Sequence, residues 1–150
     1  MSNIITLSHI YTSMGKPILF VSTTAGSGLK NTLDYMENLS IQWGAFPTNK
    51  IGRKITTLKK PISEKEYRNF VSHIKMEKKD FKPTLNQLMI YQVQRVMAQK
   101  LLPRDKEYWI KKRWNESIYF YDCKINVFKK SVAVLFHKML YNKMKKVDED

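Results

Sequence analysis

One short stretch constrains the fold of this chain more than any other. Ile18-Leu19-Phe20-Val21 is an unbroken apolar run, preceded by Gly15-Lys16-Pro17 and followed by the small residues Ser22-Thr23-Thr24-Ala25-Gly26-Ser27-Gly28. A short apolar run between breakers reads as a strand buried on both faces, as in a parallel sheet. Behind the small residues, Leu29, Leu33, Met36, Leu39 and Trp43 recur at helical spacing. Ser27 stands where a helix takes its N-cap. Gly44 stands where a helix C-terminus favours glycine. Strand, small-residue loop and helix form the repeating unit of an open α/β sheet. Ala45 to Ile55 is the expected next strand, and Pro47, which cannot donate to a ladder, confines it to an edge.

The pattern then turns helical. Ser63 with Glu66 makes a capping box ahead of the apolar face Tyr67, Phe70, Val71 and Ile74. Pro83-Thr84 with Gln87 opens a helix carrying Leu85, Leu88, Met89, Val96 and Met97 on one side, and Pro103 is expected to end it. Asp105 to Arg113 suits a short helix, and Ile118 to Asp122 is aromatic and extended. Phe128, Val132, Leu135, Phe136 and Met139 mark a long last helix. Residues 1–14 are mixed and read as the end of an element, and the polar tail from Lys145 to Asp150 is expected to be disordered. The expected fold class is α/β, with a partial parallel sheet in residues 1–58. A mainly helical extension in residues 59–150 is expected to pack on it.

Charge and cysteine content narrow the partners. Lys+Arg 27 against Asp+Glu 13 gives a net charge of +14, an attraction for phosphates and acidic surfaces. The cations are spread over both halves of the chain, which favours a solvated surface over a clustered nucleic-acid face. Cys123 is the single cysteine, so the chain can form no internal disulfide and no thiolate metal site. No apolar run approaches the roughly 20 residues that span a bilayer, and no signal-peptide pattern opens the sequence. A cytoplasmic protein with no membrane partner is the expectation.

The small-residue loop is where ligand chemistry is expected. Open α/β sheets bind ligands at the carboxyl ends of their strands, and the N–H groups of the following helix favour electron-rich groups. The segment contains neither GxGxxG nor the Gly-Lys-Ser/Thr ending of a phosphate loop. Lys16 through Lys30, with Leu33 and Trp43-Gly44, resembles the fourth strand, loop and helix of flavodoxin-like NAD(P)H-dependent FMN reductases. Asp105, Tyr108-Trp109, Trp114, Tyr119-Phe120-Tyr121-Asp122, Lys124-Ile125-Asn126 and Phe128-Lys129-Lys130 are similar to a C-terminal extension in one bacterial branch of that family.

The resemblance implies a flavodoxin-like parallel sheet, of which this chain holds the last two strands. It implies FMN with its phosphate in a Ser/Thr-rich loop after the first strand. The isoalloxazine ring then rests on the loops after the third and fourth strands. Carried over, Thr23, Thr24, Ala25, Gly26 and Gly28 line the ring. The resemblance starts inside the family's third helix, so the phosphate loop and the third-strand loop have no counterpart here. The implied function is a truncated FMN-dependent NAD(P)H oxidoreductase module, expected to bind FMN weakly or not at all alone. A complementing N-terminal half or a second copy would complete it. A homo-oligomer is expected, because a cut sheet leaves an unpaired edge, with the aromatic segment Trp114 to Tyr121 in the interface. The alternative is a non-catalytic basic protein that binds nucleic acid or an acidic partner.

Other residues point to ordinary roles. His9, His73 and His137 share no ligand spacing. Asp34 and Glu37, three apart on a helix, would share a solvated face. Trp109, Trp114 and Tyr119 to Tyr121 lie among Lys111, Lys112, Arg113 and Lys124. That mixture could stack nucleic-acid bases, but packing is the favoured use. Met89, Met97, Met139 and Met144 read as core filler.

Overall fold

The computed structural model describes residues 13–145, which divide into two compact units, Ser13–Glu77 and the residues from Lys78 onward. Of the element end expected over residues 1–14, residues 1–12 lie outside the described residues, as do His9 and the polar tail from residue 146.

The first unit is a parallel β-α-β with a helix added. Strand β1 (Pro17–Thr24) pairs in parallel with strand β2 (Phe46–Lys54), and helix α1 (Leu29–Gln42) makes the crossover. A crossover is obligatory, because parallel neighbours cannot be joined by a tight turn. Pro47 sits inside β2, and the ladder adapts around it. The register slips between Ile18 and Leu19, and the Thr48 hydroxyl donates to the Ile18 carbonyl at 2.8 Å, where a ladder N–H would otherwise serve. Gly44 ends α1 in the left-handed conformation, with φ 69°.

Two expectations for this unit are corrected. The apolar run does form a strand, but it is not buried on both faces: Phe20 is buried while Val21 is 55% exposed. Ser27 does not cap α1; Gly28 holds the N-cap position at φ 89° with no side-chain cap.

The sheet unit also runs past residue 58, the boundary expected from the sequence. Helix α2 (Arg68–Ile74) packs on both strands. It is tied to β2 through Asn49, whose side-chain oxygen accepts from the Phe70 N–H at 3.0 Å. Arg53 secures the intervening segment. Its guanidinium donates to both Glu66 oxygens, at 2.7 and 3.0 Å, and reaches the Lys60 and Pro61 carbonyls. Glu66 also closes the capping box by accepting from the Ser63 N–H at 2.9 Å.

The second unit is helical: α3 (Leu85–Lys100), α4 (Pro103–Lys111) and α5 (Val127–Lys143). Thr84 and Gln87 cap α3 reciprocally, as their spacing predicts. As expected, α3 stops ahead of Pro103, at Lys100 with Leu101 as its C-cap. Pro103 also opens α4, where its missing N–H costs nothing.

The aromatic segment after α4 is irregular, and α3 holds it. Tyr91 Oη donates to the Trp114 carbonyl at 2.7 Å, and Gln92 Nε2 donates to the Ile118 carbonyl at 3.1 Å. Arg95 Nε donates to the Asn115 carbonyl at 2.8 Å. Trp114 Nε1 donates to the Phe120 carbonyl at 2.9 Å. The rings of Tyr91, Trp109, Trp114, Tyr119 and Phe120 pack on one another with centroids 4.6–6.1 Å apart.

The apolar periodicity of α5 locates the helix but not its buried face. Ala133 is fully buried, whereas Phe128 is 71% and Leu135 70% exposed. Among the described residues, no helix is long and apolar enough to cross a membrane.

Gly52 on β2 fixes how closely α1 approaches the sheet. A Cβ there would stand 2.8 Å from Leu29 Cδ2 and 3.3 Å from Leu33 Cδ1, whereas one at Gly26 would meet nothing within 4 Å. Gly52→Ala is therefore expected to cost about 1–3 kcal/mol, and Gly26→Ala less than about 0.5 kcal/mol. Urea denaturation of the two variants, compared with the parent chain, measures both.

Candidate functional site

The loop from Ser22 to Gly28 leaves the carboxyl end of β1 and enters α1, and its form is set from within. Thr24 Oγ1 donates to the Ser27 carbonyl and accepts from the Gly26 N–H, each at 3.2 Å. The turn is thus closed by one side chain, in the manner of Ser/Thr turns. Gly28 then takes φ 89°, a value that side chains disfavour, and its carbonyl accepts the first helical bond from Thr32 at 2.9 Å. Thr23, Ala25, Gly26 and Gly28 are exposed, and Thr24 is half-buried.

All five residues expected to line a ring are therefore brought together at one edge of the sheet. They do not share one role. The Thr24 hydroxyl is engaged in holding the turn, while Gly26 and Gly28 leave open space where side chains would stand. On the neighbouring strand, Arg53 and Lys54 stand level with Thr23 and Thr24 in the register.

The charged groups behind the loop are paired. Asp34 accepts from Lys30 at 2.6 Å and from Lys50 at 2.7 Å, and Lys50 also reaches Glu37 at 2.6 Å. These two hydrogen bonds hold the Asp34 carboxyl down at about 2. Asp34 and Glu37 do share a helix face, but the Lys50 ammonium bridges them from β2, so the face is an ion-pair network. Lys50, sixteen residues from Asp34, is absent from any local pattern.

Other candidates lack reactive surroundings. Burial, followed by the Asp122 carboxylate, pushes the Cys123 thiol up to about 11, which leaves it protonated at neutral pH. Burial, followed by the Arg95 charge, pushes His137 down to about 4. His73 Nδ1 lies 2.6 Å from the Asn69 carbonyl, and its ring lies tilted against that of Phe46, with centroids 4.4 Å apart. Among the described residues, no group of three or more His, Cys, Asp or Glu is placed to hold a metal ion.

Trp109, Trp114, Tyr119 and Phe120 are at most 9% exposed, so they are core and not a stacking platform or a broad interface. A half-open pocket of about 250 Å³ beside Trp109, Ile110 and Tyr141 falls below the roughly 300–1,000 Å³ of ordinary ligand sites.

Compared with known proteins, the chain matches no family pattern, no curated protein and no solved structure.

The pair that anchors this unit gives a defined acid response. Glu66 is lowered from 4.5 to about 2, chiefly by the Arg53 hydrogen bonds and then by the Ser63 N–H. A folded-state value below the unfolded one stabilises the fold above 4.5 and loses that contribution as pH falls toward 2. The urea midpoint is expected to decline across that window. Arg53→Met should flatten the decline, because Asp34 then remains as the main titrating contributor.

Proposed function

We propose that the chain is a flavodoxin-like, FMN-dependent NAD(P)H oxidoreductase module in which the Thr23–Gly28 loop supports the isoalloxazine ring. The observation that carries this reading is the open space at Gly26 and Gly28, at the carboxyl end of a parallel strand and the start of a helix. Ligands of open α/β sheets bind at such strand ends. The resemblance of Lys16–Lys30 to the fourth-strand loop of the FMN reductases points the same way.

The residues present suit the ring end of the cofactor. Glycines allow a flat ring to approach the backbone closely. The two hydrogen bonds of Thr24 brace the turn, which lowers the ordering cost of binding. The N-terminus of α1 presents positive backbone dipole toward the electron-rich edge of a ring. The bound flavin would itself supply hydride transfer, and the protein positions it.

The residues present do not suit the phosphate end. The Ser/Thr-rich loop to which the resemblance assigns the phosphate has no counterpart among the described residues. A complementing N-terminal half or a second copy would provide it, pairing along a sheet edge that no described strand occupies.

A site for the ring alone has a distinctive signature. FMN and riboflavin should bind weakly and with similar affinity, because the phosphate adds little. Gly26→Val should weaken both by about tenfold, equivalent to ~1.4 kcal/mol of lost contact. Flavin fluorescence titration tests this. Tight binding of FMN with much weaker binding of riboflavin would show that the chain holds the phosphate. Binding of neither, or binding indifferent to Gly26→Val, would remove the loop from the account.

A further inference from the structure

Helix α5 combines two surface properties. The first is apolar exposure. Phe128 (71%), Leu135 (70%) and Met139 (43%) recur at i, i+7 and i+11, which places them in one row along the helix. Val127 (79%), Val134 (48%) and Tyr141 (40%) form a second row on the far side of Ser131, Lys138 and Asn142. The opposite side, centred on the buried Ala133, packs on α3. The exposed rows are therefore not spare core.

The second property is charge. Residues 123–145 contain six lysines and no Asp or Glu. Lys124 is paired with Asp80, and Lys129 donates to the Pro83 carbonyl at 3.1 Å. Lys130, Lys138 and Lys143 on the helix are exposed and border the apolar rows, and Lys145 just beyond it is exposed as well. The lysine stems can lie along an apolar surface while their ammonium groups reach outward.

We infer that the exposed face of α5 docks on an anionic lipid surface, lying in the plane of the headgroups. This occupant is the one that satisfies both properties. A nucleic acid would neutralise the lysines but leave Phe128 and Leu135 in water. A second copy of α5 would cover the apolar rows but bring lysines against lysines, in a chain that carries +14. An anionic bilayer accepts apolar side chains below its headgroups and cations among them. Seventeen residues make a helix about 25 Å long, enough to lie on a membrane and not required to cross it. Docking is independent of the flavin reading, since the two features lie in different units of the chain.

Vesicle flotation of the full chain tests the inference, with phosphatidylcholine vesicles and phosphatidylcholine–phosphatidylglycerol vesicles compared at low and high salt. Binding is expected to the anionic vesicles alone and to weaken as salt rises. The double variant Phe128→Ser/Leu135→Ser should bind at least about tenfold more weakly. Both side chains are exposed, so unchanged circular dichroism should accompany the loss. Lys130→Glu/Lys138→Glu should also lose binding, without touching the apolar rows. Failure to bind the anionic vesicles overturns the inference, and so does binding indifferent to either double variant. A dimer in light scattering that Phe128→Ser/Leu135→Ser dissociates would assign the face to a second copy instead.

Discussion

The parallel pairing of Pro17–Thr24 with Phe46–Lys54 is the constraint on which the first unit depends. Parallel strands force the chain to return across the sheet, and α1 is that return. The same geometry places the start of α1 beside the carboxyl ends of both strands. It thereby gathers Thr23, Thr24, Ala25, Gly26 and Gly28 into one exposed turn. Close seating of the helix depends on Gly52, which lets Leu29 and Leu33 approach the strand. Lys50 then reaches back from β2 to Asp34 and Glu37 on α1. Helix, strand and loop are thus fixed by one set of contacts, and the turn inherits its position from them.

The second unit solves a different problem. Its aromatic segment forms no regular ladder, yet buried backbone carbonyls need donors. Tyr91 and Gln92, with Arg95 one turn further along α3, supply them to Trp114, Ile118 and Asn115. The aromatic rings fill the space that these bonds enclose. Lys100 extends the same device to the end of α5, donating to the Tyr141 and Met144 carbonyls that the helix leaves open. An irregular segment is held by side chains of a regular one, so its aromatics are used internally.

Local patterns made the elements legible. The apolar run at Ile18–Val21, the breakers around it and the Thr84–Gln87 and Ser63–Glu66 caps all express short-range physics, and all appear where the sequence places them. What the sequence did not yield depends on distant partners. The exposure of Val21 follows from what covers the strand, which its own residues do not encode. Whether Thr24 or Ser27 uses its hydroxyl depends on the path of the turn. Gly52 left a weak signal, an isolated glycine in a strand, and was missed. In α5 the apolar residues occupy most of the circumference, so periodicity could not choose the buried side. The candidate loop was legible as a location. The engagement of Thr24 in the turn and the openness at Gly26 and Gly28 required coordinates.

A flavin ring seated on the Thr23–Gly28 turn, as proposed, would perturb the amides beside it. Backbone amide chemical shifts of the isotopically labelled chain, followed as riboflavin is added, address it residue by residue. Saturable shifts are expected, concentrated in residues 23–28 and the first turn of α1, with β2 near Arg53 and Lys54 following more weakly. Shifts centred on the aromatic segment or on α5, or no saturable shift anywhere, would contradict the proposal.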